Sequence, residues 1–204
     1  MIDQISWLGH GTILIRSTPI IYINPWRVLR TPFHADLILV GHDHYDHCSI
    51  ADIQKLRGEE TIVIGNDRVA EQIEDTTVLR QWQSMNIGKA SVKAVPAYCP
   101  NDPRHPLEHG GLGFVISMNY YDIYYAGDTC KIPEMHMLHP DIVILPIDGD
   151  GTLNPETAAE VTLQLKPRWV IPINWGATGE GATRLDALRF RDIIGGRAEV
   201  VMPD

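Results

Sequence analysis

Cysteine is scarce in this chain of 204 residues, with Cys48, Cys99 and Cys130 its whole supply. Three widely spaced thiols make no disulfide framework, and their odd number leaves at least one free. Long apolar runs are missing as well. Stretches such as Ile142 to Leu145 fall far short of the roughly 18 residues that a membrane span needs, so no membrane partner is expected. Met1-Ile2-Asp3-Gln4 has no basic segment leading into an apolar one, and no signal peptide is visible. Together these absences predict a cytoplasmic, soluble protein with reduced thiols. An excess of positive charge is absent too: 17 Lys and Arg stand against 26 Asp and Glu, a formal net charge of −9 at pH 7. Phosphate backbones bind basic surfaces, so a nucleic-acid partner is not expected. Internal repeats and low-complexity tracts are also lacking.

What the chain does have is a globular balance of 44% hydrophobic and 21% charged residues. At this length one domain spanning residues 1–204 is expected, burying roughly 70% of its unfolded surface. Ile2 to Leu8, Thr12 to Arg16 and Ile20 to Ile23 read as short strands joined by tight turns. Leu37 to Val40 is an all-apolar strand covered on both faces, and Ser49 opens a helix to about Arg57. Further strands are expected at Thr61–Ile64, Thr77–Leu79, Ala90–Val95, Phe114–Met118, Asp122–Tyr125, Asp141–Ile147, Trp169–Ile173 and Glu199–Met202. Asp67 to Glu74 predicts a short helix, and Arg184 to Ile193 a longer one stopped by Gly195-Gly196. Asn154-Pro155-Glu156 predicts a helix start, with Asn154 as N-cap and Pro155 in the first turn. Pro96 to Gly113 reads as a long loop, a length that is usually functional in a compact domain. Hairpins followed by strand–helix alternation, twice over, fit two mixed sheets packed together with helices outside.

The chemistry concentrates in His42-Asp43-His44-Tyr45-Asp46-His47, an H-x-H-x-D-H pattern directly after the apolar strand. On extended backbone His42 and His44 project to one side and can share one metal ion. The following turn offers Asp46 and His47 to a second position. Imidazole and carboxylate donors suit zinc, with manganese or iron as alternatives.

This motif resembles that of the metallo-β-lactamase-fold superfamily. The likeness runs from about Trp7 to Gly176. Trp7-Leu8-Gly9-His10-Gly11, Tyr22-Ile23-Asn24-Pro25-Trp26, Val95-Pro96-Ala97-Tyr98, Tyr125-Ala126-Gly127-Asp128-Thr129, Asn154-Pro155-Glu156 and Lys166-Pro167-Arg168 are similar to the small single-domain metal-dependent hydrolases related to ascorbate-phosphate lactonase. The resemblance implies an α+β fold, a four-layer αββα sandwich carrying one or two divalent metal ions on one edge. It implies that His42, His44 and a loop histidine bind the first metal. His105 is the choice for that ligand and His109 its rival. Asp128 would bridge the two positions, and Asp46 and His47 would serve the second.

Two departures stand out. Asn174 occupies the place where these relatives usually carry a histidine for the second metal, and an amide oxygen is a weaker donor than imidazole. Asn24 stands where they tend to have an aspartate that supports the site, and losing that charge weakens ligand orientation. Asp148-Gly149-Asp150 offers carboxylates that could compensate, although a solvated turn is the plainer reading. His10 reads equally as a residue lining the site or as a histidine satisfied at a hairpin end. His34, His136 and His139 are expected at the surface, Cys48 and Cys130 as buried thiols, and Trp26, Trp169 and Trp175 in the core.

The expected function is hydrolysis of an ester, lactone or phosphoester of a small metabolite by metal-activated water, with Asp46 as the catalytic orienter or proton acceptor. The alternative is a non-catalytic or single-metal binding protein whose second site has degenerated at Asn174. Assembly into a homo-oligomer is compatible with such a family, and no apolar stripe marks an interface.

Overall fold

The computed structural model describes residues 1–29, 33–176 and 181–203. Two mixed sheets carry the architecture. The first contains β1 (Ile5–Gly9), β2 (Thr12–Ile15), β3 (Ile21–Ile23), β4 (Ala35–Leu39), β5 (Arg57–Gly65) and β6 (Thr76–Val78), adjacent in that order. The second runs in space from β13 (Glu199–Val200) through β12 (Trp169–Ile173), β11 (Ile142–Pro146), β10 (Tyr121–Tyr125), β9 (Leu112–Met118) and β8 (Ala90–Pro96) to β7 (Ser84–Ile87). Each sheet is antiparallel where hairpins connect its strands and parallel beyond, from β3 to β6 and from β10 to β13.

Strand periodicity explains the layering. Ile13 and Ile15, Ile21 and Ile23, and Leu37 and Leu39 point one way and meet Phe114, Ile116, Ile123, Ile142, Ile144 and Ile171 of the other sheet. The residues between them, Leu14, Tyr22 and Ile38, point the opposite way onto Ile53 and Leu56 of α1 (Ile50–Leu56) and Val69 of α2 (Asp67–Ala70). On the far side Tyr124, Val143, Leu145 and Val170 are covered by α3 (Pro155–Leu165) and α4 (Arg184–Ile194), through Ala158, Val161, Leu165, Ala187, Phe190 and Ile194. Strands apolar on both faces therefore lie under helices, and the result is the expected four-layer αββα order.

Local details differ from the periodicity reading at several element ends, most at β5, β7 and α2. β5 begins at Arg57, directly from the α1 C-terminus, because pairing with β4 draws Arg57-Gly58-Glu59-Glu60 into the sheet despite their poor strand propensity. β7 is a half-exposed edge strand whose Ser84-Met85-Asn86-Ile87 carries little apolar signal. α2 ends at Ala70, four residues before the expected stop.

Asn154 caps α3 as its sequence predicts, accepting from Thr157 N at 2.9 Å, while Thr157 Oγ1 accepts from Asn154 N at 3.0 Å. Asn154→Ala is expected to cost about 1 kcal/mol of stability. Urea denaturation checks this; an unmoved midpoint would show that the cap adds nothing here.

Candidate metal centre

The site forms where the C-terminal ends of β4, β8, β10 and β12 converge on one edge of the sandwich. β4 delivers His42, His44, Asp46 and His47; the loop after β8 delivers His105; the turn after β10 delivers Asp128; β12 ends at Asn174. Leu112 N donates to Gly41 O at 2.9 Å, which joins the two sheets beside the histidine motif. Only glycine fits at 41, since a β-carbon there would lie 2.6 Å from Leu112 O.

Three overlapping groups bring ligand atoms within 4.8 Å of one another: His42, His44 and His105; His42, His47 and Asp128; and His10, Asp46 and His47. Asp128 Oδ2 lies 3.3 Å from His47 Nε2, 3.6 Å from His105 Nε2 and 3.7 Å from His42 Nε2. Buried His42 Nε2, His47 Nε2, both ring nitrogens of His105 and Asn174 Oδ1 have no hydrogen-bond partner among the described residues. Buried polar atoms rarely remain unpaired. Orphaned imidazole nitrogens converging on a carboxylate fit a divalent cation, and His42, His44 and His105 fit it best.

The electrostatics agree with that reading. Burial, followed by the neighbouring His47, pushes His42 well below the usual imidazole range; burial also lowers His105, with His44 adding to the effect. Both are therefore neutral, as metal ligation requires. Burial alone would raise Asp128, but His47, His42 and His105 outweigh it and hold its carboxyl well below the ordinary carboxylate range. Asp46 behaves similarly: burial opposes its charge, yet the His10 hydrogen bond at 3.0 Å and nearby His47 bring it down to about 2. Asp148 goes the other way, to about 6, through burial and the nearby Asp128 charge.

Beside these residues lies an open cleft of about 300 Å³, lined in part by His10, His44, Asp46, Asp128 and Asp148. Arg104 closes its rim, donating from Nη1 and Nη2 to Asp150 at 3.0 and 2.8 Å and from Nε to Asp102 at 3.0 Å. Asp150 is thus an exposed ion-pair partner, while Asp148 turns inward and accepts from Thr152 Oγ1.

The structure gathers His42, His44, Asp46, His47, His105 and Asp128 into one cluster. Asn174 joins it through Nδ2, which donates to Asp128 Oδ1 at 3.3 Å. His109 stands outside all three groups, its Nδ1 3.4 Å from Arg104 O. His34, His136 and His139 are exposed, and Trp169 and Trp175 are buried, while Trp26 is only partly so. His10 belongs to the site: its carbonyl accepts from Trp7 Nε1 at 2.6 Å and from Asn174 N at 3.2 Å while its ring reaches Asp46. Its place in the Trp7-Leu8-Gly9-His10-Gly11 stretch was the sequence sign of that placement.

Cys130 is not a buried thiol. It forms a disulfide with Cys99 and leaves Cys48 as the free, buried cysteine. Spacing could not show this pairing, because 31 residues separate the two half-cystines and the sheet brings them together. The bond ties the His105 loop to the Asp128 turn, where Cys99 N also donates to His105 O at 2.7 Å and Cys130 N to Tyr98 O at 3.0 Å.

A four-layer sandwich with a histidine–aspartate cluster at the strand ends defines a metallohydrolase-type scaffold. Residues 4–174 match the family model of the beta-lactamase superfamily domain, and the chain belongs to that family. It is 29% identical to a UPF0173 metal-dependent hydrolase of Thermococcus onnurineus, over 98% of this chain and 95% of the relative. A UPF0173 metal-dependent hydrolase of Methanoregula boonei is 30% identical, over 94% and 89%. Among solved structures, the fold is shared with Igni18, a metallo hydrolase of Ignicoccus hospitalis, at a TM-score of 0.81 and 20% identity, over 98% and 94% of the two chains.

Gly41→Ala is expected to pry β4 from the start of β9, costing about 1–3 kcal/mol, and to weaken Zn²⁺ binding. Thermal unfolding and Zn²⁺ titration check it; wild-type values in both would contradict the close approach.

Proposed function

We propose that this metal-dependent hydrolase of the beta-lactamase superfamily cleaves an ester, lactone or phosphoester bond of a small metabolite, with residues 1–204 acting as one domain. The observation that carries the reading is the set of neutral, buried, unpartnered imidazole nitrogens of His42 and His105 beside the Asp128 carboxylate and an open cleft. His42, His44 and His105 would hold a divalent cation, with Asp128 completing its charge balance; zinc suits the donors, and manganese or iron is the alternative. The cation supplies Lewis acidity and lowers the pKa of a water towards neutrality. Asp46, ionised at neutral pH, would accept a hydrogen bond from an attacking water and orient it, while His10 holds the Asp46 carboxylate in place. The cleft is at the small end of ligand pockets, which supports a metabolite rather than a polymer. The net charge of −9 argues against a polynucleotide in the same direction.

His42→Ala and Asp128→Ala are each expected to abolish Zn²⁺ retention and to lower hydrolysis of a panel of esters, lactones and phosphodiesters by at least about 100-fold. Full activity in either variant would sink the assignment. Asn24 and Asn174 favour a second reading, a metal-binding protein without catalysis; tight Zn²⁺ retention with no turnover across the panel would select it.

Among the described residues no helix is long and apolar enough to cross a membrane. A cytoplasmic location is our reading from the sequence, and the Cys99–Cys130 bond stands against it, because disulfides are rare in the cytosol. Thiol titration of protein unfolded without reductant is expected to find Cys48 alone. Three reactive thiols in protein taken directly from cells would favour the reduced, cytoplasmic form.

A further inference from the structure

We infer that this chain holds a single divalent cation, at His42, His44 and His105, and fills the second position with hydrogen-bond donors: His47 and Asn174 point N–H groups at Asp128, and Asn24 fixes the His47 tautomer that does so. The inference rests on the metal-dependent reading above and specifies its centre.

The assignment follows from counting donors around a buried amide. Asn24 is fully buried at the end of β3. Gly41 N, which can only donate, lies 2.8 Å from Asn24 Oδ1, so that atom is the carbonyl oxygen. The amide nitrogen then faces two atoms, His47 Nδ1 at 2.7 Å and the Tyr125 hydroxyl at 3.0 Å. Tyr125 spends its one proton on Gly11 O, 2.8 Å away, and accepts from Asn24. The second amide hydrogen goes to His47 Nδ1, which must therefore present its lone pair. Flipping the amide would set Nδ2 against the Gly41 N–H and leave a buried donor unpaired.

With Nδ1 accepting, the proton of neutral His47 sits on Nε2. Burial opposes a second proton and the Asp128 and Asp46 carboxylates outweigh burial, but that proton would press an Nδ1–H against the Asn24 N–H at 2.7 Å. A metal ligand needs the Nε2 lone pair, and that atom here carries hydrogen. His47 Nε2 faces Asp128 Oδ2 at 3.3 Å, close enough for N–H and carboxylate to attract without a well-aligned hydrogen bond. Asn174 Nδ2 serves the other oxygen, Oδ1, also at 3.3 Å. The Asp128 carboxylate thus meets an N–H on each oxygen. An aspartate at 24 would still accept from Gly41 N but would reverse the other two contacts, accepting from a His47 Nδ1–H and from Tyr125, and free Nε2 as a ligand. The two asparagines therefore act together, one by setting the His47 proton and one by replacing a ligand with a donor.

The test is metal stoichiometry and an imidazole ¹H–¹⁵N long-range correlation spectrum of the full chain loaded with Zn²⁺. The expected result is one Zn²⁺ per chain, with His47 in the Nε2–H form and its Nδ1 unprotonated. The Asn24→Asp, Asn174→His double variant is expected to take a second Zn²⁺ at least about tenfold more tightly than wild type and to move the His47 proton to Nδ1. Two tightly held Zn²⁺ in wild type, or a wild-type His47 Nδ1–H, would overturn this inference and leave the hydrolase reading standing. No Zn²⁺ on the wild type would overturn both. Should the double variant fail to fold, the wild-type spectrum and stoichiometry decide alone.

Discussion

The structure depends on keeping one carboxylate ionised in a place that opposes its charge. Asp128 sits almost wholly out of solvent at the junction of the two sheets, and burial by itself would favour its protonated form. Three imidazoles, His47, His42 and His105, and the amide of Asn174 surround it and reverse that preference. These partners come from two strand ends, those of β4 and β12, and the loop after β8, so none can reach Asp128 unless the sheets pack in one register. A slip of one residue in β4 would turn Leu37 and Leu39 away from the interlayer core and carry the histidine motif to the other face. The isoleucine-rich core and the polar cluster are therefore coupled: apolar packing fixes the strand ends, and the strand ends fix the charges.

Much of this was legible in the chain. Leu37 to Val40 reads as a strand covered on both faces, and it ends directly in the H-x-H-x-D-H motif, so the motif had to lie at a strand end. Hairpin signals around Gly11 and Ser17-Thr18-Pro19 separated the antiparallel part of the first sheet from what followed, and the Asn154-Pro155 cap located α3. Short-range chemistry of this kind survives in any sequence reading because each signal lies within a few residues of its effect.

What was hidden is long-range. Cys99 and Cys130 are 31 residues apart, and only the path of β9 and β10 between them brings the His105 loop back to the Asp128 turn. His10 gave little signal because its partners, Asp46 by its ring and Asn174 by its carbonyl, lie 36 and 164 positions further on. The start of β5, Arg57 to Glu60, and the whole of β7 were obscured for another reason. Their residues have weak strand preference, and pairing to a neighbour overrides it.

The asparagines show a subtler limit. Read as composition, Asn24 is an aspartate that has lost its charge, and the natural conclusion is a weakened support for the site. In the fold the exchange does something different in kind. Carboxylate and carboxamide have the same shape, so the cradle of Gly41, His47 and Tyr125 accepts either. A carboxylate only accepts hydrogen bonds, whereas the amide nitrogen only donates, and the difference passes through the imidazole ring to its far nitrogen. The same inversion occurs at Asn174, where a donor now faces Asp128. Placing a donor at one end of the ring decides where the proton sits at the other, and so decides whether the ring can meet a cation at all. Charge loss would leave His47 a poorly oriented ligand, but the change of hydrogen-bond direction makes it a donor.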